Sequence, residues 1–177
     1  MIIKKTKFKG LLIVKQKNNS DVRGNLRETF NDKFLHKKFV FEYCTTSKKN
    51  VMRGFHFQSK FKQSKYVNVI KGKILDVVID LRRNSKTFGK SFEIILSKKN
   101  ALGLYIPAGF AHAYYSYEKE NIIYYKLDNY YAPKYESGIV YNDKNIKISW
   151  PRKKMIVSKK DKLLMTLEQF KSKFKNL

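Results

Sequence analysis

Tyr66-Val67-Asn68-Val69-Ile70-Lys71-Gly72-Lys73-Ile74-Leu75-Asp76-Val77-Val78-Ile79-Asp80-Leu81 is the stretch from which the fold is read. Two runs rich in β-branched residues are separated by Lys71-Gly72, a tight-turn signal, so the segment predicts two strands. Outward from it the pattern repeats. Phe92–Leu96, Leu102–Ile106 (stopped by Pro107-Ala108-Gly109), Tyr114–Tyr117 and Ile122–Leu127 read as further strands. Upstream, Leu11–Val14, Asn25–Phe30 and Phe39–Thr46 do the same, with a turn region over Asn18–Gly24 and a short helix over Asn31–Lys38 that carries an uninvolved His36. Many short strands without long intervening helices predict a sandwich or barrel and disfavour a parallel α/β fold. No Gly-x-Gly-x-x-Gly follows a strand, so a dinucleotide fold is disfavoured as well. The tail Ser158–Phe174 shows an apolar helical stripe of Leu163, Leu164, Leu167 and Phe170.

Composition bounds the function. At 177 residues, 42% hydrophobic and 15% aromatic, the chain suits one folded domain spanning residues 1–177. Cys44 is the only cysteine, which removes any intrachain disulfide framework. No early apolar run matches a signal peptide or a membrane span, so a cytoplasmic protein with no membrane partner is expected. The net charge of +25 could mark a nucleic-acid surface. The lysines are scattered, however, arginines are few, and no RNP-type aromatic module is present, so no specific nucleic-acid partner is expected. Diffuse lysine fits solvated faces and protected strand edges, and an anionic small substrate is equally compatible.

The candidate site centres on Val51-Met52-Arg53-Gly54-Phe55-His56-Phe57-Gln58. Strict alternation puts Met52, Gly54, His56 and Gln58 on one strand face and Arg53, Phe55 and Phe57 on the other. A histidine among aromatics could be a proton-transfer base with a tunable pKa. On this segment alone, a satisfied core histidine is the commoner reading.

Further strings change the balance. They are Asp21-Val22-Arg23-Gly24, Ser85-Lys86-Thr87-Phe88-Gly89-Lys90, Ile106-Pro107-Ala108-Gly109-Phe110-Ala111-His112, Tyr125-Lys126, Asn129-Tyr130-Tyr131-Ala132-Pro133, Tyr141-Asn142-Asp143 and Ile148-Ser149-Trp150-Pro151. In this order and spacing, nearly end to end, they resemble the RmlC family, the dTDP-4-dehydrorhamnose 3,5-epimerases, a metal-free branch of the cupins. The resemblance implies an all-β cupin jelly-roll with short peripheral helices. It also implies a homodimer built through N-terminal strands, and epimerisation at C3 and C5 of a nucleotide-linked 4-keto-6-deoxyhexose with no cofactor.

By the same resemblance, His56 is the base, Tyr125 the acid on the opposite face, and Asp161 the carboxylate that orients the histidine. Lys65 matches the lysine near the developing C4 oxyanion. Arg23, Arg53, Gln58 and His112 match substrate-holding groups, and Glu28 a nucleoside or sugar contact. A metal is not expected, because the His-x-His start of metal-binding cupins reads His56-x-Gln58 here, and His56 with His112 alone is a weak ligand set.

Departures from the family are also legible. A Gln-x-Asn-x-Ser stretch reads Phe41, Tyr43 and Thr45 here; Asn68 stands for an arginine, and Leu26 for an aromatic. These substitutions leave open a monoepimerase or ketoisomerase on another 4-keto nucleotide sugar, or a non-catalytic sugar-nucleotide-binding cupin.

Overall fold

In the computed structural model, which describes residues 1–151 and 154–174, thirteen strands dominate. They are β1 (Ile2–Lys5), β2 (Leu12–Lys15), β3 (Lys17–Asp21), β4 (Gly24–Glu28), β5 (Phe41–Lys48), β6 (Met52–Gln58) and β7 (Lys65–Lys71). β8 (Lys73–Asp80), β9 (Ser91–Ser97), β10 (Leu102–Ile106), β11 (Phe110–Ser116), β12 (Glu120–Leu127) and β13 (Glu136–Gly138) follow. Helices are short: α1 (Asp32–Leu35), α2 (Lys159–Lys162) and α3 (Leu167–Lys173). A six-stranded sheet, β1-β2-β10-β7-β12-β5, faces a five-stranded one, β13-β6-β11-β8-β9. Between them lies an apolar core that includes Phe8, Leu11, Val67, Val78, Leu104 and Ile123. This is the jelly-roll expected.

The turn at Lys71-Gly72 does more than close a hairpin. It passes the chain from β7 in one sheet to β8 in the other. Gly72 has φ +86°, and a Cβ there would lie 2.5 Å from the Asn121 side-chain oxygen, so only glycine fits the switch.

Three readings need correction. Asn18–Gly24 is not a loop: residues 17–21 form β3, paired with β4 as an arm of its own. β11 starts at Phe110 rather than Tyr114, because its pairing with β8 runs unbroken from Phe110↔Asp80 to Ser116↔Ile74. His112 therefore sits inside a strand. The C-terminal tail is two helices, since Ser158 caps α2 and a Thr166–Gln169 capping box starts α3. Between them Met165 bridges to Ile139, and Leu163 points into solvent instead of extending the stripe.

The tail covers the outer face of the five-stranded sheet. Phe170, fully buried, meets Phe57 edge-on at 5.5 Å, and Trp150 packs on Phe55 at 5.9 Å. Burying one such ring stabilises the docked tail by about 1.5–3 kcal/mol. That docking brings a residue from near the end of the chain up behind β6.

Candidate active site

β6 carries the first half of the site, and its register departs from simple alternation. His56 pairs with His112 and Arg53 with Tyr114, so three steps along β6 match two along β11. One extra residue is bulged out between them. The bulge turns Arg53 to the same side as His56, correcting the opposite-face assignment, while Phe55 and Phe57 stay on the outer face as expected. Gly54 permits it. Its φ is +121°, and a Cβ would come within 2.5 Å of the Ala113 Cβ.

The result is a cleft of about 510 Å³ between the sheets, with His56, Arg53 and His112 on one wall and Tyr125 and Lys65 on the other. Asp161 reaches the His56 ring from α2, with Oδ1 2.9 Å from Nε2. Its other oxygen accepts the Gly54 backbone N–H at 3.1 Å, and the Ser158 cap holds the Asp161 backbone. Burial works to raise the Asp161 pKa, but hydrogen bonding and the positive potential of His56 outweigh it, so the carboxyl is held below its usual value. An ionised Asp161 can only accept, so Nε2–H donates to it and the lone pair of the imidazole is left on Nδ1.

Tyr125 is almost fully buried. Burial first, then the nearby Tyr114 and Tyr43 hydroxyls, push its phenol well above the ordinary value, so it stays protonated as a donor. Tyr43 lies flat against it, with ring centres 4.8 Å apart and planes at 20°, and its own phenol is pushed up to about 12 by burial. Lys65 faces the cleft from β7. Burial lowers its pKa to about 8, partly opposed by Glu136 and Asp76. His112 is held by Asp76 at 2.8 Å, both side chains being buried.

Other expected site residues lie elsewhere or serve the frame. Gln58 is buried and spends its amide on backbone, donating to Phe61 and Tyr130 carbonyls and accepting from the Ala132 N–H. It fastens the 129–132 loop beside a small chamber behind His56. Arg23 forks onto Asp21 in the exposed β3–β4 arm, and Glu28 accepts from Asn31; neither lines the cleft of its own chain. Asn68 points to the outer face of the six-stranded sheet, buried against Gln16, so that departure does not alter the cleft. The Ser85-Lys86-Thr87 string is explained by Asp80, whose buried carboxylate collects Arg82, Ser85 and Thr87 and folds the loop.

Sequence reasoning passed over Tyr114, Lys160 and Ile156 as cleft residues. Tyr114 could have been found, since it lies two residues beyond His112 on one strand and so shares its face. Lys160 and Ile156 carried no such signal. They arrive only because the tail docks, through Ile156 on Val51 and a Lys160–Glu136 ion pair.

Fold and cleft together define a cupin-type jelly-roll with a carboxylate-backed imidazole and a buried phenol on facing sheets. The comparisons agree with that class and narrow it. The family model described as dTDP-4-dehydrorhamnose 3,5-epimerase matches residues 5–169. The dTDP-4-dehydrorhamnose 3,5-epimerase of Methanothermobacter thermautotrophicus is 39% identical over 166 residues, covering 89% of this chain and 90% of its own. That of Escherichia coli K12 is 38% identical, with 96% of each chain covered. The crystal structure of dTDP-6-deoxy-D-glucose-3,5-epimerase RmlC from Legionella pneumophila, in complex with dTDP-4-keto-L-rhamnose, superposes with a TM-score of 0.90. It is 35% identical and covers 94% of this chain and 93% of that one. The chain belongs to the dTDP-4-dehydrorhamnose 3,5-epimerase family.

Proposed function

We infer that the protein is a nucleotide-sugar isomerase that converts dTDP-4-dehydro-6-deoxyglucose to dTDP-4-dehydrorhamnose by inverting C3 and C5. The observation that carries this reading is the Asp161-backed His56 facing the buried Tyr125 across one cleft. A 4-keto group acidifies both neighbouring C–H bonds, because the carbanion is delocalised as an enolate. His56 Nδ1 takes the proton from one face, and Asp161 stabilises the imidazolium that forms. Lys65 offers its ammonium to the C4 oxygen, an interaction stronger for the enolate than for the ketone. Tyr125 returns a proton to the opposite face, and the carbon is inverted. Arg53 and His112 hold the anionic end of the substrate.

Reaction in deuterated water with dTDP-4-dehydro-6-deoxyglucose, followed by NMR, tests the reading. Deuterium is expected at both C3 and C5 with inverted products. Label at one carbon only would reduce the activity to monoepimerisation, and binding without label would leave a binding protein.

Lys65 predicts a pH limb. Its ammonium is present below about pH 8 and is lost above it, so the electrophile disappears as pH rises. Turnover should fall on the alkaline side, and Lys65→Arg should move that limb upward because guanidinium stays charged. An identical alkaline limb in the arginine variant would exclude Lys65 as its source.

The working unit in this reading is a homodimer of single-domain chains. Among the described residues β3 and β4 pair only with each other, and none of those residues covers Val22 and Leu26, which stand on the arm at 105% and 67% exposure. A partner that receives this arm would bring Arg23 and Glu28 to its own cleft. Light scattering should give twice the chain mass; a fully active monomer would refute the shared site. Among the described residues no helix is long and apolar enough to cross a membrane. A cytoplasmic enzyme also suits the free, exposed Cys44, and recovery of the protein from a periplasmic extract would overturn that placement.

A further inference from the structure

Tyr125 has to present its hydroxyl to one face of the sugar, yet among the described residues no hydrogen bond fixes where that hydroxyl points. Thr45 and Tyr114 line the same cleft, but their hydroxyls are bonded to each other at 3.0 Å, and that of Tyr114 also to Ser47 at 2.9 Å. His112 meets the Tyr125 ring in a T shape with centres 6.0 Å apart, and its Nε2 is bonded to Asp76. The direction of the phenol is left to what packs on its ring.

Two strands supply that packing. Tyr125 lies on β12, directly opposite Val67 on β7 and Tyr43 on β5. Cross-strand partners share a face, so the ring stands in a row between an aliphatic and an aromatic neighbour. Tyr43 is nearly parallel to it, with ring centres 4.8 Å apart and planes at 20°, a stacked aromatic pair. Behind Tyr43 comes Phe41, two places along β5 on the same face, at 5.6 Å, and behind Phe41 comes Tyr130 at 6.4 Å. Among the described residues no strand pairs beyond β5, so this stack closes the row by itself. Tyr43 lines both the cleft and the small chamber behind His56. Without its ring the space beside Tyr125 would join that chamber, and the phenol would be free to swing out of line.

We propose that Tyr43 is a positioning residue for the acid: its ring holds the Tyr125 phenol in the orientation that delivers a proton to the face opposite His56. The proposal rests on the epimerase reading above. It gives a role to one departure in the sequence, the tyrosine that stands where the family shows an asparagine. Tyr43 transfers no proton itself. Stacking asks for a flat ring at that place and makes no use of the hydroxyl it carries.

The test is reaction of dTDP-4-dehydro-6-deoxyglucose in deuterated water, with label and inversion at C3 and C5 read separately by NMR. In the wild-type chain the two should rise together. Tyr43→Ala leaves the base untouched, so label should still enter, while inversion per labelling event should fall by about 10²-fold, the loss that a misplacement of about 1 Å brings. Tyr43→Phe should restore the wild-type ratio. Tyr43→Leu, with no flat face to offer, should repeat the loss, and it carries the test should the alanine variant fail to fold. Combined with Tyr125→Phe, Tyr43→Ala should lower the ratio no further, because a residue that acts only through another adds nothing once that one is gone. Parallel loss of label and inversion would mean that Tyr43 shapes the cleft for the sugar instead. A wild-type ratio without the ring, a low ratio in Tyr43→Phe, or a further drop in the double variant would each overturn the proposal as well. Absence of any inversion by the wild-type chain would instead overturn the epimerase reading.

Discussion

Replacing His56 with Asn should abolish both epimerisation and solvent exchange at C3 and C5 while leaving the nucleotide sugar bound. The His56 ring is held by Asp161 on Nε2, which leaves its Nδ1 lone pair to act as the base. An amide in its place has no comparable basicity, and Asp161 keeps the Gly54 backbone N–H when its Nε2 partner is gone. Turnover should drop by about 10²–10⁴-fold, the range for a positioned general base. Affinity should change little, because Arg53 and His112 are untouched. Turnover by NMR and nucleotide-sugar affinity by calorimetry separate these effects. Near-normal turnover would sink the assignment.

Tyr125→Phe divides the reaction instead of stopping it. The ring stays stacked on Tyr43 and in contact with the core, so the fold should hold. Only the donor is lost. His56 can still remove a proton and return a deuteron to the face it came from, so label should enter with retained configuration. Inversion should fall by about 10²–10⁴-fold while exchange continues. This separation of label from inversion is specific to a two-sided mechanism, and parallel loss of both would refute it. Wild-type kinetics would remove Tyr125 from the reaction altogether.

Much of the fold is legible in short windows because its cause is local. The β-branched run in Ile74–Leu81 marks β8, and Pro107 ends β10. Where reading by period failed, the cause was one residue or one long-range contact. The bulge between Arg53 and His56 puts Arg53 on the side of His56 although three residues separate them, which a period-two rule cannot show. Gly54 was the sole local hint. The tail stripe was broken because Met165 bridges to Ile139 between the two helices, which leaves Leu163 in solvent.

The sequence by itself determined the strand-rich class, the succession of strands from β7 to β12, the face of His56, Phe55 and Phe57, and, through ordered motifs, the family. Backbone sterics and burial act on neighbours, so these follow from residues within a few positions of one another. Only the tertiary structure decided which groups share a cleft. Asp161 meets His56 across 105 residues, Lys65 lines the cleft of His56 from the opposite sheet, and Thr45, Tyr114, Ser47 and Arg53 come into line from three different strands. Those meetings depend on how two sheets close over an apolar core and on where the tail docks, which is set by the packing of the whole chain rather than by any segment of it.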